Sequence, residues 1–478
     1  MARISWCLRL SAVLSVLLAV GCGSSNSPTP APVLGSYQVV TLSDVHFNPL
    51  YDTSLYSSLM TTDASDWASV FQKSNVKLPT GGNTDTNYPL LTIALTNVTQ
   101  HMGNSPVVLI TGDLLGHYIP ERFYCASVNQ PFPCSVTPSA ATIAAMPAFV
   151  NKTFTFVATQ IRAAVGAAQI IYVPGNIDTY DVVSKRPDAA FLTDNAGAVY
   201  NQFLGGDVDE GTFLSTFTSG GYYAAQPLGT QLLVIGLNSN AFVDGAPTSG
   251  QADPELGWLN SQLASAHSLG QKVWILMHVP PGAYSQGMTG ITPGQLDDGN
   301  VQMNWDQGYQ STFISSLQRY SSEVTLMLAG HTHMDEFRVL PSGNVLEQLP
   351  GISPCFGNNP AFKILTVTPN TFFATDYQSY NYDLSVPQPT QFESLYTFSN
   401  IYGAQGRLND VLQQLYPQLS SNPGTRAFYT YFYASGSTGT NPATNTNWNP
   451  INAENWPIFS CTIGDVAQPT YIQCVNTY

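Results

Sequence analysis

Charge is what this sequence has least of. Lys+Arg number 15 and Asp+Glu 30 in 478 residues, so charged residues make up 9% of the chain and the net charge is −15. An ordinary soluble protein carries about 25%. The scarcity does not mark disorder, because 44% of residues are hydrophobic and 12% aromatic, enough for a large core. Fifteen scattered cations form no basic stripe, which excludes a nucleic-acid or other polyanion binder. Histidine is scarce too, with seven in the chain. No internal repeat stands out. The length suits roughly two to four units of about 100–200 residues, although one α/β core can exceed that.

The apolar run Leu10–Val20 is about half the roughly 20 residues a membrane-spanning helix needs. Arg3 and Arg9 precede it, the layout of an export signal. The run ends Leu18-Ala19-Val20-Gly21-Cys22, which resembles the processing site of bacterial lipoproteins, where the new N-terminal cysteine is acylated. Gly23 to Pro32 contains only Gly, Ser, Asn, Thr, Pro and Ala, a flexible tether. We therefore expect a signal peptide over 1–21 and a lipidated tether over 22–36. The chain would be an exported lipoprotein of the outer membrane or cell surface, held to the membrane surface through Cys22. Without acylation it would be periplasmic or secreted. No protein partner is implied. Beyond Cys7 and Cys22, the pairs Cys125/Cys134 and Cys461/Cys474 suit short disulfides in an oxidising compartment. Cys355 is left over, and with no helix start or basic neighbour to activate it, it reads as a small buried hydrophobe.

Strand-like and helix-like stretches alternate through the middle of the chain. Tyr37–Thr41, Pro106–Thr111, Gln169–Val173, Leu232–Leu237, Lys272–Met277 and Val324–Ala329 read as strands. Ala140–Val165, Pro254–Ser268 and Gln310–Tyr320 read as helices. This alternation argues for a layered α/β core with helices flanking sheets. After about Phe373 the composition shifts to Tyr, Ser, Asn, Pro and Thr, with one amphipathic patch at Leu408–Leu419. Residues 376–478 are therefore expected to form a small helical C-terminal subdomain closed by a disulfide.

Ligand groups in open α/β sheets gather at the carboxyl ends of strands. Here those ends read Asp44-Val45-His46, Gly112-Asp113, Gly175-Asn176-Ile177-Asp178, His278 and Gly330-His331-Thr332-His333. Each piece alone occurs by chance in many chains. Together, Asp44, His46, Asp113, Asn176, His278, His331 and His333 supply seven donors, which suit two divalent metals sharing one carboxylate. Imidazole with carboxylate favours zinc, with iron or manganese as alternatives, over calcium. His101 and His267 sit in helical stretches and read as solvent-facing.

The series Asp-x-His, Gly-Asp, Gly-Asn-x-Asp, His, Gly-His-x-His resembles the calcineurin-like metallophosphoesterase superfamily. Within it, the sequence is most similar to the acid sphingomyelinase-like phosphodiesterases. The stretches that carry this are Gly112-Asp113-Leu114-Leu115-Gly116-His117, Met277-His278-Val279-Pro280-Pro281-Gly282 and Gly330-His331-Thr332-His333-Met334-Asp335-Glu336-Phe337. Ser353–Leu365, around Asn359-Pro360, resembles the same family. The resemblance implies a metallophosphoesterase β-sandwich flanked by helices, with a catalytic domain over 37–375. It implies that Asp44, His46, Asp113 and His333 hold one metal, that Asp113, Asn176, His278 and His331 hold the other, and that Asp113 bridges. A hydroxide between the metals would attack phosphorus in line.

Ile177 departs from the pattern, since many members place a histidine directly after the ligand asparagine. His117, four residues after Asp113, matches the histidine that acid sphingomyelinase-like members carry there, which implies a general acid. The alternative role for His117 is to orient a ligand. The implied substrates are phosphodiesters of the sphingomyelin/choline-phosphate or nucleotide type; polyphosphate is disfavoured by the few cations. Two further readings stand beside this one. The same site could serve a phosphomonoesterase or nucleotide pyrophosphatase, or Ile177 could mark a catalytically weakened surface binding protein.

Overall fold

The computed structural model of the chain describes residues 35–181, 186–243, 245, 250–387, 389–403, 405–437 and 450–478. The signal peptide, Cys22 and nearly all of the tether expected from the sequence lie outside these residues.

The described residues include twelve strands, most of them runs of β-branched and aliphatic residues. They are β1 (Tyr37–Leu42), β2 (Val107–Ile110), β3 (Gln169–Tyr172), β4 (Tyr223–Ala225), β5 (Leu232–Gly236), β6 (Lys272–Leu276), β7 (Val324–Ala329), β8 (Glu336–Val339), β9 (Val345–Gln348), β10 (Ala361–Val367), β11 (Ala374–Asn381) and β12 (Glu393–Thr397). They make two six-stranded sheets, ordered β12-β11-β10-β1-β2-β3 and β4-β5-β6-β7-β9-β8. In the first sheet β1, β2 and β3 run parallel, while β10 pairs antiparallel with β1 and β11 with β10. In the second, β5, β6, β7 and β9 run parallel. Parallel strands need both faces covered, and their near-continuous apolar runs show it.

Alternation along the second sheet divides its side chains between two cores. Val234, Trp274, Leu276, Leu326 and Leu328 join the cluster that also contains the strands of the first sheet. Leu233, Ile235, Val273, Ile275 and Met327 face the helices Ala252–Leu269 and Gln307–Arg319 through Leu259, Leu263, Phe313 and Leu317. The architecture is thus two sheets flanked by helices, as expected from the sequence. Ala140–Val165 is helical as expected, and Ser139 caps it by accepting from the Thr142 amide.

The boundary expected at 375/376 falls inside β11, so the first sheet continues past it. Beyond the sheet come the helices Phe398–Tyr402, Leu408–Ser421, Pro423–Tyr433, Trp456–Gly464 and Gln468–Thr477. The last two are joined by the disulfide Cys461–Cys474, and Cys125–Cys134 is also formed. No helix among the described residues is long and apolar enough to cross a membrane.

Trp274 links the sheets: it is fully buried on β6, and its Nε1 donates to the Phe372 carbonyl (2.9 Å) in the turn between β10 and β11. Trp274→Ala should cost about 3–5 kcal/mol through the cavity it opens. Trp274→Phe should cost about 1–3 kcal/mol by leaving the carbonyl without a donor. Urea unfolding measures both, and an unchanged midpoint in Trp274→Ala would show that the sheets are held together elsewhere.

Candidate metal centre

The parallel strands of both sheets deliver their carboxyl ends to one place. β1 leads to Asp44 and His46, β2 to Asp113, β3 to Asn176, β6 to His278, and β7 to His331 and His333. Asp44, His46, Asp113, His331 and His333 all adopt left-handed backbone, with φ of 49°, 43°, 56°, 76° and 62°. Such conformations disfavour side-chain-bearing residues and concentrate at functional sites. Two glycines permit the close approach. A Cβ on Gly175 would lie 2.0 Å from Asp113 Oδ1, and one on Gly330 would lie 2.2 Å from Ser43 Oγ.

All seven residues expected as ligands converge. His46 Nε2 lies 3.0 Å from His333 Nε2 and 3.4 Å from Asp113 Oδ2, and His333 Nε2 lies 3.4 Å from Asp44 Oδ1. On the other side His278 Nε2 lies 3.2 Å from Asp113 Oδ2 and 2.9 Å from Asn176 Oδ1, and His331 Nδ1 lies 2.9 Å from the same Asn176 oxygen. Asp113 Oδ2 therefore stands between the two groups. Its other oxygen, Oδ1, accepts from the Ile177 amide (2.7 Å).

The tautomers follow from the outer nitrogens. Nδ1 of His46, His278 and His333 donates to the carbonyls of Leu115, Thr111 and Ser353, at 3.0, 2.7 and 3.0 Å. Nε2 of His46 and of His333 then presents a lone pair inward, toward other lone pairs, while Nε2 of His278 faces Asp113 Oδ2. That convergence on buried carboxylates fits cations, and the groups Asp44/His46/His333 and Asp44/Asp113/His278 each bring their ligand atoms within 4.8 Å of one another. The chemistry of the donors fits two divalent metals.

Burial sets the protonation. It pushes His331 and His333 down to about 3 and His46 well below its usual value, so these imidazoles are neutral, the form that binds metal. Burial raises Asp44 to about 7, with Asp113 adding to the rise. For Asp113 the burial penalty is outweighed by His278 and His46, which hold its carboxyl well below the usual range. For His278 burial is outweighed by Asp113, and it rises to about 9.

His117 lies at the edge of this centre, stacked on His46 with ring centroids 4.1 Å apart. Its Nδ1 donates to Asp85 Oδ1 (2.7 Å) and its backbone amide to Asp85 Oδ2 (2.9 Å). Arg122 completes the arrangement, donating from Nε to the His117 carbonyl (2.9 Å) with its guanidinium 3.6 Å from Asp85. Ile177 and His117 line one pocket together with Tyr118, Ile119, Pro120, Thr179 and Asp181.

Three features were not expected from the sequence. Asp85 precedes His117 by 32 residues and carries no motif. Asp178 is the last residue of the Gly-Asn-x-Asp stretch, and that spacing was the available signal for it. It is buried and accepts from the amides of Asp113, Leu114, Leu115 and Gly175 and from the Tyr172 hydroxyl. Cys355 is half-buried rather than enclosed, with Sγ 3.7 Å from His333 Nδ1; burial raises its thiol, so it is no activated nucleophile. His267 faces solvent as expected and pairs with Glu323 at 2.8 Å, whereas His101 is half-buried and stacks on Tyr380.

The chain is a sequence relative of the sphingomyelinase-type phosphodiesterases, which bears out the resemblance drawn from its motifs. It is 24% identical over 456 residues to sphingomyelinase phosphodiesterase D of Dictyostelium discoideum, covering 87% of this chain and 90% of that one. It is 23% identical to sphingomyelin phosphodiesterase B of the same organism, over 74% of this chain and 52% of the relative. To the cyclic GMP-AMP phosphodiesterase SMPDL3A of Rattus norvegicus it is 26% identical, over 46% of this chain and 52% of the relative. The chain thus spans about half the length of the latter two. No family model matches it. Among solved structures, a dimetal phosphatase from Danio rerio aligns with a TM-score of 0.40 and 12% identity, over 75% of this chain and 98% of its own.

Gly175→Ala should prevent metal loading by driving Asp113 from its place, while leaving the far-ultraviolet circular dichroism native. Elemental analysis checks it: near two metal equivalents in the parent chain and a loss of about one or more in the variant. Full loading of Gly175→Ala would show that the loops tolerate the added methyl.

Proposed function

We propose that this chain is a two-metal phosphodiesterase in which Asp44, His46, Asp113 and His333 hold one metal, Asp113, Asn176, His278 and His331 hold the other, and His117 is the general acid. The observation that carries the reading is the position of Asp113 Oδ2 between His46 Nε2 and His278 Nε2, with His117 stacked beside it. Zinc suits the donor set, with iron or manganese as alternatives. When bound, such metals supply Lewis acidity and a positive field for the charge that develops on a phosphoryl group.

The chain's own residues account for the proton. As the bond from phosphorus to the leaving oxygen breaks, the electron pair stays on that oxygen, and His117 Nε2 donates the proton that neutralises it. Water supplies the oxygen of the new bond to phosphorus. Asp85 holds Nδ1–H of His117, which fixes the ring with Nε2 turned away from Asp85. Ile177 can do neither task, so a single histidine carries the acid role here. The relatives' names favour diesters over monoesters.

The two disulfides suit an oxidising compartment. Export with acylation at Cys22 remains our reading of the N-terminus. Cys22→Ser should abolish incorporation of labelled fatty acid in a bacterial host; persistent labelling would refute it.

Hydrolysis of bis(p-nitrophenyl) phosphate should vanish on chelation and fall more than about a hundredfold in Asp113→Asn. Unaffected turnover in either case would sink the proposal, and faster turnover of p-nitrophenyl phosphate would make the chain a monoesterase.

His117→Gln separates the acid from a structural role. With an alkyl leaving group kcat should fall by about 10²–10⁴. With p-nitrophenolate, which leaves without a proton, the loss should be much smaller. Equal losses on both esters would remove His117 from the proton transfer.

A further inference from the structure

The centre has two unlike flanks. Beside His117 lies a mostly apolar pocket of Tyr118, Ile119, Pro120 and Ile177, with Thr179 and Asp181 also in its wall. Beside Asn176 and His331 lies a separate cavity of about 250 Å³, walled on its polar part by Arg186, Asn240, Gln302 and Asn304. One water needs only about 15 Å³. We infer that this second cavity is a subsite for the group retained on phosphorus, and that it selects a neutral or anionic hydroxyl-bearing group over a quaternary ammonium. The inference rests on the phosphodiester reading above.

The leaving group departs on the side of its proton donor, His117, so the retained group lies toward Asn176 and His331. Two amides there are almost wholly enclosed, Asn240 at 1% exposure and Asn304 at 5%. The Asn240 amide nitrogen donates to the Pro174 carbonyl and to Asn238 Oδ1, both at 2.9 Å, which fixes the orientation of the group. Its Oδ1 has no donor, and Asn304 Nδ2 has no acceptor, among the described residues. Asn240 and Asn304 both line this cavity, and an unused acceptor beside an unused donor in its wall matches a hydroxyl, which offers both functions. Arg186 adds a positive charge to the same wall, which attracts a second anionic group and repels a fixed cation. Quaternary ammonium recognition uses aromatic cages. Among the described lining residues Tyr284 is the single phenol or indole, and no carboxylate is present.

Esters that share p-nitrophenol as leaving group test this on the full chain, because the chemical step is then common. We expect kcat/KM for p-nitrophenyl glyceryl phosphate to exceed that for p-nitrophenyl phosphorylcholine by about tenfold or more. Asn304→Leu and Arg186→Met should each raise KM for the glyceryl ester and shrink that preference to within about threefold. A choline ester that matches or beats the glyceryl ester overturns the inference, as does a preference that survives both substitutions. Should Asn304→Leu fail to fold, the half-buried Arg186 decides alone. Turnover of bis(p-nitrophenyl) phosphate keeps the two failures apart. If it persists while choline is preferred, only the subsite inference falls. If it is absent, the phosphodiesterase reading falls and the subsite with it.

Discussion

The site depends on one buried carboxylate that never faces a ligand. Asp178 gathers the amides of Asp113, Leu114, Leu115 and Gly175, so the loops after β2 and β3 are fastened to a common point. Several charge-assisted bonds to one anion hold backbone more firmly than turns alone. Asp113 inherits its place from this anchor, and both donor groups are arranged around Asp113. The cost appears in Asp178 itself, which burial raises to about 6 against the pull of its donors.

The scarcity of charge in the sequence takes on a different meaning in the fold. Asp44, Asp85, Asp113, Asp178, Glu255, Asp335, Glu336, Glu347, Arg338 and Lys363 are all buried. Ten of the 45 Asp, Glu, Lys and Arg residues are therefore enclosed rather than on the surface. Away from the metal centre, Lys363 pairs with Asp335 at 2.7 Å, lies 3.5 Å from Glu347 and sits over the Tyr377 ring at 4.0 Å. Tyr396 donates to Asp335 (2.8 Å), extending that cluster into β12. Buried pairs of this kind are weak evidence for stability, but a lone survivor is costly.

What was legible in the sequence was what chemistry forces to be local. A donor that must stand at a strand end needs the right residue type one to three positions after an apolar run, and Asp44, Asp113, Asn176, His278 and His331 all obey that spacing. The parallel strands were legible because burial on both faces leaves an unbroken apolar run. Asp85 was not, since its bond to His117 depends on how an irregular segment packs across the loop after β2. Asn240 and Asn304 were equally hidden, because an amide acquires meaning only when its partners are counted in three dimensions. Two strands at the start of the accessory region went unread for a related reason. Polar, Tyr-rich composition hid β11 and β12, whose registers are set by pairing of β11 onto β10 and of β12 onto β11 rather than by their own pattern.

The five left-handed residues at the strand ends bear on how this protein could be shortened. At roughly 1 kcal/mol or more each, their combined strain is a substantial part of the about 5–15 kcal/mol that separates a folded domain from its unfolded chain. The two sheets must supply most of that surplus, with the bonds to Asp178 as the local contribution. A minimal version stripped of peripheral helices would lose its margin first where the backbone is most unwilling. Its sheets could stay intact while the strand ends relaxed, leaving a well-folded protein with no place for a metal.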